Sequence, residues 1–207
     1  METHVVDHPL VAERLTHLRM TSTQRPEFRR NVDELSEFVV YEALRTLSMT
    51  MIDIDTPLEP TTGVTITELP LVIPVMRAGL GMLDAALRLL PDARVGFLGL
   101  KRDEETLLPH AYVNTVPDDL EGRDCLVLDP MLATGGSLIH TCDLLRASNA
   151  GALTVACLLA APEGLEALAA RHDDVVCWTA SIDAALTDVG FITPGLGDAG
   201  DRQFGLA

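Results

Sequence analysis

The sequence predicts an α/β domain: a mostly parallel, twisted sheet with helices on both faces. Short apolar runs alternate with helical patterns from residue 71 to about residue 180, the rhythm of a parallel sheet covered on each side. Apolar residues make up 47% of the 207 residues and charged residues 22%, enough for one sizeable core and too apolar for a disordered chain. No repeat or linker divides the chain, so one domain over 1–207 is expected, with added structure at both ends.

The elements follow in order. After a short arm, Pro26 to Met51 reads as one long amphipathic helix, with Phe28, Val32, Leu35, Val39, Ala43 and Leu47 on one face. The arm and this helix form an N-terminal region of about 1–51. Asp53 to Pro70 is rich in proline and contains the alternating Val64-Thr65-Ile66-Thr67, which suggests a strand or hairpin excursion, a β-arm. The core of about 71–180 begins with a buried strand at Leu71–Met76, a helix from Leu80 to Leu90 and a strand at Arg94–Leu100. A polar, proline-punctuated segment from Lys101 to Asp119 interrupts the rhythm, and 102–117 is expected to be a mobile arm. Asp124–Asp129 is the next strand and Gly135–Ser148 a helix, then Leu153–Ala160, Glu163–Arg171 and Val175–Thr179 repeat strand, helix and strand.

Composition excludes several functions. Fifteen basic residues against thirty-one acidic ones give a formal charge of −16, which argues against nucleic acid or an anionic membrane as the main partner. Lys101 is the only lysine and has no Walker-type glycines before it, so P-loop chemistry is absent. Cys125, Cys142, Cys157 and Cys177 form no C-x-x-C pair and sit in apolar stretches, which predicts buried free thiols. The histidines lack metal-ligand spacing. The opening METHVVDHPLVAERL does not resemble a secretory leader, and no apolar run approaches the ~18 residues of a membrane span, so a reduced cytoplasmic setting is expected.

In sheets of this kind ligands bind beyond the carboxyl ends of the strands. There the strand ending in Leu128-Asp129 runs through Pro130-Met131-Leu132-Ala133-Thr134-Gly135-Gly136-Ser137 into a helix. Gly135 and Gly136 can bare backbone N–H groups to a phosphate, Thr134 and Ser137 add hydroxyls, and the helix N-terminus adds a favourable dipole. Asp129 would repel phosphate, so it is expected to accept hydrogen bonds from hydroxyls beside it. A sugar phosphate satisfies both halves. A plain strand–helix turn capped by Thr134 fits the same residues.

The segment LVLDPMLATGGS resembles the phosphoribosyl diphosphate (PRPP) signature of the type I phosphoribosyltransferases, and its Asp-Pro form is similar to the uracil phosphoribosyltransferases. Further segments resemble that family in order: HPL at His8, YEA at Tyr41, PVMRAGLGM at Pro74 and RDEET at Arg102, then APEG at Ala161, TASID at Thr179 and PGLGDAGDRQFG at Pro194. The resemblance implies transfer of the 5-phosphoribosyl group from PRPP to N1 of uracil, giving UMP and diphosphate. It implies that Asp129 binds the ribose hydroxyls and Ala133–Ser137 the 5′-phosphate, within a PRPP site of Asp129–Ser137, Arg77, Arg102 and Asp198. The base pocket would be a C-terminal hood of about 190–207, where backbone groups of Ile192, Gly197 and Ala199 read uracil beside Asp198. Arg77, Arg102 and Asp198 would stabilise the transition state and the departing diphosphate, with Mg²⁺ held mainly by PRPP and no protein nucleophile. A homodimer or larger assembly is implied, and GTP is raised as an effector.

The chain departs from the family at Phe191, where tyrosine is usual, at Lys101, and in Leu108-Pro109-His110-Ala111-Tyr112. These touch the base side and the loop rather than a phosphate ligand. Two rival readings share the fold. An RNA-binding pyrimidine-operon regulator would need a basic surface that a charge of −16 opposes, and a transferase for a purine would lack the PGLGDAGD loop.

Overall fold

The computed structural model describes residues 1–102 and 109–205. In chain order the elements are β1 (Glu2–Val5), α1 (Pro9–Arg19), α2 (Arg25–Ala43), β2 (Thr50–Asp55), β3 (Pro60–Thr65), β4 (Leu71–Met76), α3 (Leu80–Leu89), β5 (Leu98–Arg102) and β6 (Pro109–Asn114). They continue as β7 (Cys125–Leu128), β8 (Met131–Leu132), α4 (Gly136–Ala147), β9 (Leu153–Ala160), α5 (Pro162–Arg171), β10 (Val176–Ile182), β11 (Ala185–Leu186), β12 (Ile192–Thr193) and α6 (Ala199–Phe204).

The main sheet has eight strands in the order β1-β10-β9-β7-β4-β5-β6, with β8 added beside β9. All of its pairings are parallel except β5–β6. Side chains that alternate along each strand feed two cores. Leu126 and Leu128 of β7 join Val72 and the α1, α2 and α3 side chains Leu15, Leu18, Phe28, Leu35 and Met82 on one face. Cys125 and Val127 join Ile73, Val75, Val155 and the α4 and α5 residues Leu138, Leu145 and Leu168 on the other. The predicted sandwich of helices about a parallel sheet is therefore present, and all four cysteines are buried free thiols.

The differences from the sequence reading are local. The helix expected to reach Met51 ends at Ala43, because Thr50, Ile52 and Ile54 alternate with a period of two and start the antiparallel β2–β3 hairpin. The strand expected at Arg94 begins at Leu98; before it only Val95 bridges Val72. The polar segment after Lys101 contains β6, which pairs with β5 as a hairpin on the sheet edge. Within the expected mobile arm of 102–117, residues 103–108 lie outside the described residues. The opening arm is itself structured as β1 and α1. His8 caps α1, its Nδ1 accepting from the Leu10 N–H at 3.1 Å, a cap that sequence signals rarely point to. No described helix is long and apolar enough to cross a membrane.

Candidate active site

Two loops leave the sheet side by side. β4 and β7 are hydrogen-bonded neighbours, yet the chain continues from β4 to β5 on one side and from β7 to β9 on the other. The strand order reverses between them, and this switch point opens a crevice at the carboxyl ends of the strands. Arg77 directly follows β4 and Asp129 directly follows β7, so the fold brings together two residues far apart in sequence. The β4–α3 turn closes tightly enough to do this because residue 79 is glycine. A Cβ there would meet the backbone of Val75 at 2.7 Å and run into the Leu128 carbonyl. Arg77 is exposed, in reach of an incoming ligand, and the Met76–Arg77 peptide is cis.

A cavity of about 660 Å³ lies over the second loop, lined by Asp129, Met131–Leu138 and, from the opposite wall, Asp188, Val189 and Gly190. Gly135 has φ of 82°, a left-handed conformation, and is the N-cap of α4 with no side chain capping the helix. The Thr134 hydroxyl is therefore not used as a cap, contrary to the plain-turn reading, and Thr134 and Ser137 are exposed at the cavity. The first-turn N–H groups of the twelve-residue α4 have no partners within the helix and face the same space. Gly164 of the APEG segment lets α5 pack against the loop, since a Cβ there would meet the Leu132 carbonyl oxygen at 2.9 Å.

Not every residue of the signature faces the cavity. Pro130 is buried and its carbonyl accepts from the N–H groups of Leu158 and Leu159, both at 3.0 Å, outside the cavity lining. Leu132 is buried in the core, and its carbonyl accepts from Ala161 N–H at 2.9 Å. Pro130 and Leu132 anchor the loop to the end of β9, Leu132 also reaching the cavity lining, while Ala133–Ser137 form the open face.

Asp129 sits 8% exposed on the cavity floor. Burial raises its pKa to about 7 from 3.8, opposed only by the Met131 N–H that donates to Oδ1 at 3.3 Å. The carboxyl lines the cavity, where it can accept from hydroxyl donors.

The C-terminal segment builds a second wall. β11 and β12 form a small hairpin whose Leu186 N–H donates to Glu163 at 2.9 Å, tying it to α5. Phe191, at the turn of that hairpin, is 45% exposed. After the cis Thr193–Pro194 bond the chain runs through Gly195, Leu196, Gly197 and Asp198 into α6. Ile192 and Ala199 are buried, Gly197 is exposed at φ of 79°, and the Ala199 N–H begins α6 with no partner inside the helix. Asp198 is exposed and caps α6, its Oδ1 accepting from Asp201 N–H at 2.8 Å. Arg102 ends β5 opposite Pro109, at the root of the segment that lies outside the described residues.

Several residues hold this wall from a distance. Arg19, at the end of α1, grips Asp183 with two hydrogen bonds of 2.7 and 2.5 Å. Burial alone would raise the Asp183 pKa, but Arg19, the Gly195 N–H and the Ser181 hydroxyl together hold it below the usual carboxylate range. Arg202 donates to the carbonyls of Leu18, of Leu196 at 2.8 Å and of Met20 at 2.7 Å, with its guanidinium 4.2 Å above the Phe28 ring. Gln203 is fully buried and donates to the Ala78 carbonyl at 3.1 Å, joining α6 to the loop that carries Arg77. All three act across long sequence separations, which leave no local spacing signal.

The sequence pattern of the uracil phosphoribosyltransferase family matches residues 5–206. The chain belongs to this family. It is 53% identical to the uracil phosphoribosyltransferase of a Nocardioides species, over all of this chain and 99% of the relative. It is also 53% identical to that of Streptomyces avermitilis, over the whole of both chains. Among solved structures, the AQ2163 protein of Aquifex aeolicus superimposes with a TM-score of 0.90 at 35% identity, covering 99% of each chain. The adenine phosphoribosyltransferase of Trypanosoma brucei, solved with AMP, pyrophosphate and ribose-5-phosphate, has a TM-score of 0.55 at 13% identity over 91% of this chain and 86% of that one. That likeness shows a shared fold. The relatives named are phosphoribosyltransferase enzymes, and membership makes this chain one.

Proposed function

We propose that the protein transfers the 5-phosphoribosyl group from PRPP to N1 of uracil, giving UMP and diphosphate in pyrimidine salvage. The observation that carries the reading is the pairing of an anion cradle at Ala133–Ser137 with a buried carboxylate at Asp129 on the same cavity, inside a chain of this family. The cradle suits the 5′-phosphate, and Asp129 suits the ribose hydroxyls that lie beside it. The lining residues Met131 and Leu132 complete that side of the PRPP site, and Pro130 sets its backbone.

The bond between C1′ and the diphosphate oxygen breaks as positive charge develops on the ribose ring, uracil N1 forms the new bond to C1′, and the N1 proton passes to the departing diphosphate. Arg77 and Arg102 match the departing diphosphate, because a guanidinium fork pairs with phosphate oxygens and stays charged. Asp198 is assigned to the PRPP side of the uracil loop, beside the developing charge on the ribose. Backbone groups of Ile192, Gly197 and Ala199 read the polar edge of uracil. Cytosine reverses donor and acceptor at that edge, which leaves buried groups unpaired at a cost of roughly 1–3 kcal/mol each.

Phosphoribosyltransferases commonly use Mg²⁺ with PRPP. Two carboxylates line the cavity, Asp129 on its floor and Asp188 on the opposite wall. That donor set fits an ion that arrives on the PRPP oxygens and keeps its waters, and Asp129 would neighbour it. When bound, the ion would offset charge on the leaving diphosphate.

A homodimer or larger assembly is part of this reading. The β2–β3 hairpin exposes Met51, Ile52, Ile54, Leu58 and Val64, an apolar surface suited to a second copy. Sedimentation of the purified chain tests it, and adding GTP to the assay tests that nucleotide as an effector. A cytoplasmic setting accords with the four free thiols.

Conversion of uracil, 5-fluorouracil, cytosine, adenine and hypoxanthine with PRPP and Mg²⁺ is the direct test. Turnover confined to uracil and its 5-substituted analogue is expected; turnover of a purine in their place would overturn the reading.

A further inference from the structure

The last turn of α1 lies outside both ligand loops, yet it holds one of them. Arg19 Nη1 donates to Asp183 Oδ2 at 2.7 Å and to the Gly195 carbonyl at 2.8 Å, while Nη2 donates to Asp183 Oδ1 at 2.5 Å. Asp183 Oδ2 in turn accepts from the Gly195 N–H at 2.9 Å. Both backbone groups of Gly195 are thus fixed by one ion pair whose carboxylate is buried, at 7% exposure. Gly195 is held at φ of 61°, where a Cβ would run into the Ile192 carbonyl. It lies between Ile192 on one side and Gly197 and Ala199 on the other, the three residues whose backbone groups are assigned to uracil.

We propose that the Arg19–Asp183 pair is a positioning element for base recognition, setting where the backbone groups of Ile192, Gly197 and Ala199 meet the edge of uracil. The inference rests on the reading of that loop as the uracil site. A pocket that recognises its ligand through main-chain groups has no side-chain rotamers to adjust, so its specificity depends on how firmly the backbone is held. Asp183 supplies the reference frame. Its own N–H donates to the Ala160 carbonyl at 2.9 Å, and Ala160 is the β9 residue that pairs with Leu132 of the phosphate loop. The loop for the base and the loop for the phosphate are therefore both registered on one residue at the end of β9. Arg202 reinforces the bracket by joining the Leu18 and Met20 carbonyls of the same α1 turn to Leu196.

The pair is tested with Asp183→Asn and with Arg19→Lys, which keeps the charge but loses the two-pronged grip. Steady-state kinetics with uracil and cytosine are run beside calorimetric titration with PRPP and Mg²⁺. In Asp183→Asn, kcat/KM for uracil should fall on the order of 10- to 100-fold through KM, with the uracil-to-cytosine ratio narrowed and PRPP affinity within about twofold of wild type. Arg19→Lys should show the same split at smaller size, and it decides the matter if Asp183→Asn does not fold. Unchanged uracil kinetics, or proportional losses in uracil and PRPP parameters, would overturn the positioning role while leaving the reaction in place. Wild-type protein that makes no UMP overturns the reaction itself and the inference with it.

Discussion

The two halves of the crevice are built in opposite ways. The phosphate half is local: a strand end, nine consecutive residues from Asp129 to Ser137 and a helix start provide its floor and cradle. The base half is assembled from a distance. Its loop is held by Arg19 across 176 residues and by Arg202, which reaches back 182 residues to Met20. A local site can be rigid as soon as its own turn forms, whereas the base loop takes its shape only once α1, β10 and α6 have packed together. On the proposed reading, chemistry shared by many phosphoribosyl transfers sits in the first half, and the choice of base depends on the second.

The sharpest break of that comparison is Asp129→Asn, which removes the buried carboxylate from the phosphate half. We expect kcat/KM to fall about 10²- to 10³-fold, the size seen when one transition-state contact is removed, with the base loop unaffected. The same change alters stability in the opposite direction. The Asp129 pKa is raised in the folded state, so its contribution to stability is fully present below the unfolded value of 3.8 and is lost as pH rises through about 7. Ligand-free Asp129→Asn should therefore be more stable than wild type at pH 8, by roughly 1–4 kcal/mol in denaturant melts.

Next in size is Gly79→Ala, which forces a Cβ into the Val75 and Leu128 backbone between Arg77 and Asp129. A loss of about 1–3 kcal/mol in thermal or denaturant unfolding is expected, with weakened PRPP binding. Arg202→Ala attacks the other half by removing three carbonyl contacts and the stack on Phe28. It should cost about 2–4 kcal/mol and raise the KM for uracil more than that for PRPP.

Acidity separates the halves more gently. Protonated Asp129 must give up its proton to accept from ribose, so PRPP affinity should weaken as pH falls below about 7, read by calorimetry in two buffers. Asp183, held below the usual range, contributes stability that is lost only as pH falls through its own lower value, so the base loop should be insensitive over that window. The smallest effect is expected at Glu163→Gln, where one exposed contact to Leu186 N–H is weakened; the KM for uracil should stay within about twofold.

These differences also explain what the sequence could reveal. The sheet and the helices after residue 71 were legible because buried parallel strands are short apolar runs and their helices carry a 3.6-residue period. Asp129 and Ala133–Ser137 were legible because their chemistry is contiguous. Pro130 and Leu132 looked like equal members of that run, yet their carbonyls serve the β9 backbone instead. Glu163 and Gln203 lie inside segments that resemble the family, but their partners are not readable there, and Arg19 carries no signal at all, since an arginine at a helix end is ordinary until its partner arrives from 164 residues away. The end of α2 was misplaced because Leu47 continues the helical period by coincidence, after the chain has turned toward the β2–β3 hairpin.

The most direct test of phosphoribosyl transfer is a product balance: labelled uracil, PRPP and Mg²⁺ incubated with the wild-type chain, with UMP and diphosphate quantified together. Equal amounts of the two products, and neither without uracil, are expected. Diphosphate released without matching UMP would show a PRPP hydrolase in its place, and no release of either product would contradict the assignment of the crevice.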